Sequence, residues 1–149
     1  MKTRVTAGLF ALLAAFSCND DDEQLAPIEG KWRGTMAEIQ VKPFGLPIPV
    51  SKKDESFHTE IEFRSDGKLI VYEDSQTTEG TWKLNGNKLV TDIDFNTEFI
   101  GLSGTYTVER LTGTTLIFYL EKDNQTISDP DTGQSISGDL KATLHFQKI

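Results

Sequence analysis

One cysteine, Cys18, stands in 149 residues, so no disulfide can form within the chain. Histidine is almost as scarce: His58 and His145 are the only two. Basic residues are outnumbered, 15 against 23 acidic, which gives a net charge of -8. Such a surface makes nucleic acid and anionic lipid poor partners. Long apolar runs are missing as well. The one run of any length, Val5 to Phe16, falls short of the roughly 20 residues that span a bilayer. No stretch holds a helical period for long, and Pro43, Pro47 and Pro49 exclude a helix where they cluster. No Ser-His-Asp set, phosphate loop or Cys-His cluster is present, and the sequence calls for no cofactor or metal.

The N-terminus carries the clearest signal. Lys2 and Arg4 precede the apolar run, which ends in Ala15-Phe16-Ser17-Cys18. That ending resembles the lipobox of bacterial lipoprotein precursors. The resemblance implies a signal peptide over 1–17, cleavage before Cys18, a diacylglyceryl thioether on its sulfur and acylation of the new amine. Lipidation also accounts for an exported thiol with no partner. Two or three acyl chains hold a protein on a membrane stably where a single chain does not. Asn19-Asp20-Asp21-Asp22-Glu23 follows as a solvated acidic tether, placed over 18–28 together with Cys18. It is similar to the export signal of Bacteroidetes-type lipoproteins, which implies the outer face of the outer membrane. Loss of Lys2 and Arg4 with the signal peptide takes the net charge from -8 to -10.

Residues 29–149 suit one domain with a core of its own. Their pattern predicts strands near 30–41, 56–64, 68–73, 78–84, 88–95, 104–111, 115–122 and 138–148. The two-residue period is plain where Phe57, Thr59, Ile61 and Phe63 alternate with His58, Glu60, Glu62 and Arg64. It recurs where Leu140, Ala142, Leu144 and Phe146 alternate with Lys141, Thr143, His145 and Gln147. Ser65-Asp66-Gly67, Asn85-Gly86-Asn87 and Thr112-Gly113-Thr114 are tight turns after the second, fourth and sixth strands. The other connections are looser, and three are long: 42–55, 96–103 and 123–137. In a meander, alternate connections lie at opposite ends. The pattern therefore predicts an all-β fold with little helix, an eight-stranded up-and-down antiparallel barrel with a tight floor and an open rim.

Gly30-Lys31-Trp32, opening the first strand, resembles the Gly-x-Trp signature of lipocalins. The segments Phe63 to Leu69 and Glu79 to Leu89 resemble hairpins of lipocalin-like domains in Bacteroidetes-type lipoproteins. The resemblance implies that Trp32 closes the barrel floor and that a small ligand enters at the mouth. Such barrels host many functions, so the fold by itself names none.

Paired carboxylates are the one hint of catalysis. Asp92 and Asp94, and Glu60 and Glu62, lie opposite apolar rows and are expected on solvent faces. His58 and His145 are expected outside, near 10 Å apart with the first strand between them, too far to share a zinc. The chain is therefore expected not to be an enzyme. Its expected function is to bind a small apolar ligand at the barrel mouth, on Met36, Phe44, Leu46, Ile48, Phe57, Phe95, Phe99, Leu102, Tyr106, Leu120 and Leu140. Trp32 and Trp82 are placed at the floor, with Arg110 as a cationic lid over one of them. The inward aromatic rows suffice to fill an eight-stranded barrel. A filled barrel whose loops contact an envelope protein or a glycan is the alternative. The partners expected are thus the membrane, through the lipid, and an apolar ligand or envelope protein, at the outer membrane with the rim turned outward.

Overall fold

The computed structural model describes residues 25–129 and 132–149. The expected signal peptide over 1–17, Cys18 and the acidic block to Gln24 lie outside the described residues, as do Pro130 and Asp131. All regular structure among the described residues is strand: β1 (Gly30–Pro43), β2 (Val50–Asp54), β3 (Glu60–Phe63), β4 (Lys68–Glu73), β5 (Gln76–Asn85), β6 (Lys88–Thr91), β7 (Phe95–Asn96), β8 (Gly101–Leu102), β9 (Thr105–Leu111), β10 (Thr115–Ser128) and β11 (Ser135–Lys148).

Antiparallel pairing runs from β1 through β3, β4, β5, β6, β9 and β10 to β11, which returns to β1 from Trp32 opposite Lys148 to Pro43 opposite Gly138. Eight strands thus close into an up-and-down barrel, and no edge of the eight-strand ring is left open. β2 lies on the same side of β1 as β3, from Ala37 opposite Asp54 to Val41 opposite Val50. It is therefore the upper half of a second strand broken at 55–59. The tight turns fall at one end as expected; Gly67 and Gly86 adopt φ values of 82° and 58° there, which a side chain would oppose.

Two of the three expected long loops turn out to be strand. β1 runs to Pro43 and β2 starts at Val50, so only 44–49 remain as a hairpin tip. β10 runs to Ser128 and β11 starts at Ser135, which reduces 123–137 to a turn over 129–134. The fifth expected strand, by contrast, ends early at Thr91. Phe95 sits instead in β7, which pairs only with β8 in a separate two-stranded sheet.

Bulges reset which side chains face inward. Trp32 and Gly34 point in, Thr35 is an extra residue opposite the Phe146–His145 step, and Ala37, Ile39 and Val41 then take over the inner row. Met36, expected inside, is turned out beside His145. Glu109 is likewise extra in the β9–β10 ladder, so Arg110 is exposed and Leu111 takes the buried place. Arg110 therefore covers neither tryptophan. The cation over Trp32 is Lys148, whose Nζ lies 4.9 Å from the ring and donates to the Glu29 carbonyl at 2.9 Å.

Trp32 is fully buried and donates its indole N–H to the Ile28 carbonyl at 2.8 Å. Trp82 is only half-buried; it donates to the Arg64 carbonyl and meets Phe63 edge-on at 5.4 Å. Leu25, Ala26 and Ile28, within the span expected as tether, pack under this floor. Among the described residues, the span 25–149 contains both partners of every strand pairing and the whole hydrophobic core, which is what a domain that folds by itself requires.

Candidate functional site at the barrel mouth

Four strands, β2, β1, β11 and β10, rise side by side past the rim on one side of the barrel. Across from them, the segment 92–104 between β6 and β9 folds over the mouth as a lid. Thr97 closes its tip: the Thr97 hydroxyl accepts from the Ile100 N–H at 3.1 Å and donates to the Ile100 carbonyl at 2.9 Å. Behind the tip, Phe95 and Leu102 are fully buried. Phe95 packs on Tyr106, Phe118 and Phe146 at 5.5, 5.6 and 6.5 Å between ring centres. Tyr106 donates its hydroxyl to the Leu102 carbonyl at 2.8 Å, and burial pushes its phenol well above the ordinary range, so it remains a neutral donor.

The lid also rests on Asp54, a buried carboxylate at the lower end of β2. One oxygen accepts from the Ser56 N–H at 2.9 Å and its hydroxyl at 2.6 Å; the other accepts from the Glu98 N–H at 3.4 Å. Sequence analysis missed this residue. The Asp-x-Ser spacing of a side-chain-capped turn was the available signal. Between lid and hairpins lies an apolar hollow lined by Ile39, Val41, Val50, Phe99, Ile127 and Ile136, with about 20 Å³ of free space, room for one water at most. The Lys52–Asp129 ion pair, 2.8 Å long, spans its outer side. A wider and more polar cleft of about 310 Å³ opens in the wall at the β2–β3 break, beside Ser56, His58, Tyr72, Asp74 and Asn96.

The residues expected to bind a ligand therefore divide into four groups. Phe57, Phe95, Leu102, Tyr106, Leu120 and Leu140 are buried in the barrel core. Phe99 is half-buried on the hollow. Phe44, Leu46 and Ile48 are exposed on the β1–β2 tip and do not reach it, and Met36 lies outside the wall.

Three of the four candidate catalytic carboxylates are engaged with neighbours, and the fourth, Asp94, is exposed. Glu60 binds Lys31 at 2.8 Å and Arg33 at 2.7 Å, and these bonds hold its carboxyl below the usual range. Glu62 accepts from Tyr72 and Arg64, with the same consequence. Asp92 takes the N–H and hydroxyl of Thr81. Among the described residues no three of His, Cys, Asp or Glu gather in a way that could hold a metal ion.

His58 is exposed, but His145 is not the surface histidine expected: it is half-buried and its Nε2 has no hydrogen-bond partner. Burial holds its pKa below the ordinary 6.5, opposed by Glu38 and Glu109 and assisted by Lys53. Below about pH 6.5 the unfolded chain takes up a proton that the folded chain refuses, so stability falls from there down to the folded pKa. Thermal melts of the wild type and His145→Leu should then diverge as the pH falls below about 6.5, the variant losing less on acidification. Glu60 and Glu62 act only lower, near their ordinary 4.5 and below. Parallel melting curves down to that point would remove His145 from the account.

The profile of the lipocalin-like domain family matches residues 28–118, from the floor segment before β1 into β10. No curated protein and no solved structure matches the chain. With that match over more than half of the sequence, and a closed eight-stranded meander whose floor is sealed by Trp32, the chain belongs to the lipocalin-like domain family.

Proposed function

We propose that the barrel binds a small apolar ligand at its mouth, beneath the 92–104 lid, without catalysis. One observation carries this reading: the lid is a separate two-stranded sheet laid over an aromatic interior and an apolar hollow. Its strand pairing is internal; its tip meets the wall through the long bond from the Glu98 N–H to Asp54, and behind the tip Tyr106 donates to the Leu102 carbonyl. What holds it down is mainly the burial of Phe95, Phe99 and Leu102, which an apolar ligand can replace. In the closed state the hollow is too small for any such ligand, so binding requires the lid to lift. The reading extends to location: a signal peptide over 1–17, lipid on Cys18, and an outer-membrane protein facing outward. The lipobox and the acidic block support that part.

Native mass spectrometry of the protein purified from its own host, made without the lipid by Cys18→Ser, tests the ligand. A small molecule retained in gentle conditions and released on unfolding is the expected result. A bare polypeptide mass from fresh preparations would favour the filled barrel acting through its loops on an envelope protein or glycan. The exposed β1–β2 tip is the observation on that side.

A further inference from the structure

The tip between β1 and β2 reads Pro43-Phe44-Gly45-Leu46-Pro47-Ile48-Pro49-Val50, and Phe44, Leu46 and Ile48 turn away from the core. Phe44, Leu46 and Ile48 are 61%, 57% and 74% exposed, and Val50 is 36% exposed. Elsewhere among the described residues only Val90 and Ile149 are large hydrophobics comparably open to solvent. Apolar exposure is thus concentrated on one protruding hairpin end.

The backbone there is also unusually easy to take out of water. Pro43, Pro47 and Pro49 have no N–H, and the Leu46 N–H is spent on the Pro43 carbonyl at 3.2 Å. Few donors would be stranded in an apolar phase. From Val41 to Lys53 the sequence contains Lys42, Lys52 and Lys53 and no carboxylate; the acidic neighbours come from other strands, Asp139 opposite Lys42, Glu38 opposite Lys53 and Asp129 paired with Lys52, all below the apolar tip itself. Lysines flanking an apolar tip can run their stems along it and place their ammonium groups at phosphates. The exposed apolar area is on the order of 400 Å², about half of what one side of a stable protein interface buries.

We propose that this tip inserts into a lipid surface, with Phe44, Leu46 and Ile48 in the acyl boundary and Lys42 and Lys53 at the headgroups. The inference does not rest on the ligand or on Cys18. If Cys18 is lipidated, it sets an orientation. The seven-residue step from Cys18 to Leu25 reaches about 25 Å, against about 45 Å along β1 from floor to tip. Anchor and tip then share one bilayer with the barrel lying along it, rather than standing on its floor with the rim turned away.

The test uses residues 25–149 and phosphatidylcholine vesicles. The domain should float with the vesicles, and the double variant Phe44→Ser, Ile48→Ser should lower the partition coefficient about tenfold or more while its melting temperature stays put. A Phe44→Trp reporter should shift to the blue on binding and be quenched by brominated acyl chains, over the constant background of Trp32 and Trp82. Failure of the unaltered domain to float, or equal flotation of the double variant, would overturn the proposal. So would a dimer in solution that the double variant abolishes without any flotation, which would assign the tip to contact between copies.

Discussion

Gly138→Ala should lower the stability of the domain by about 3 kcal/mol, enough to move its melting temperature by roughly 10 °C. A Cβ at this position would lie 2.1 Å from the Lys42 carbonyl oxygen, 2.6 Å from its carbon and 2.9 Å from the Pro43 Cα. All three are backbone atoms, so no side chain can swing aside. The only relief is for β1 and β11 to separate near the rim, where Pro43 faces Gly138. That pairing is the one that closes the barrel, and the upper parts of β2 and β10 hang on it from either side. Gly113→Ala is the control, because a Cβ there meets nothing within 4 Å. Thermal or urea unfolding compares the two. Equal, small losses would mean that the rim pairing contributes little to closure.

Barrel class and strand order were legible because they rest on burial periodicity and turn chemistry. β3, the first half of β9 and the lower parts of β1, β10 and β11 each bury alternate side chains, β4 buries the run Leu69-Ile70-Val71, and Gly67 and Gly86 mark turns that only a few residues tolerate. The strand extensions were not legible for the opposite reason. β2, Val-Ser-Lys-Lys-Asp, buries only its last residue, and Asp123 to Ser128 buries only Ile127. Main-chain hydrogen bonds to a neighbouring strand hold such segments, and those leave no trace in hydrophobic spacing.

The bulges explain the wrongly placed site residues. One extra residue reverses which side chains face the core, so Met36 after Thr35 and Arg110 after Glu109 were both assigned the wrong face. Nothing in Gly34-Thr35-Met36 or Val108-Glu109-Arg110 announces a bulge. The rim loops were a different case. Both were visibly too apolar for solvent, but composition alone could not tell that Phe99 and Leu102 fold back while Phe44, Leu46 and Ile48 stay out. The difference lies in attachment. The lid leaves β6 at Thr91 and re-enters β9 at Thr105, across the mouth, whereas the 44–49 tip joins two strands that are already paired to each other.

Phe95→Ala should cost about 3–5 kcal/mol, the range for a buried aromatic ring whose site cannot collapse. Tyr106, Phe118 and Phe146 form the wall that would lose contact, and all three belong to the ladder of the closed barrel, which limits their movement. A cavity should therefore persist under the lid and bind small apolar probes such as benzene, which should raise the melting temperature of the variant and leave that of the wild type unchanged. The same substitution should weaken the grip of the lid. If ligand binding requires the lid to lift, the cost of opening is part of every measured affinity, and removing the main side chain that holds it down should tighten binding of a fluorescent long-chain acyl probe by about tenfold or more. Titration of that probe against both proteins separates the two roles of Phe95. A large stability loss with unchanged probe affinity would make Phe95 plain core in a permanently filled barrel. A loss near 1 kcal/mol with tight binding in both proteins would mean that the wild-type lid already opens freely.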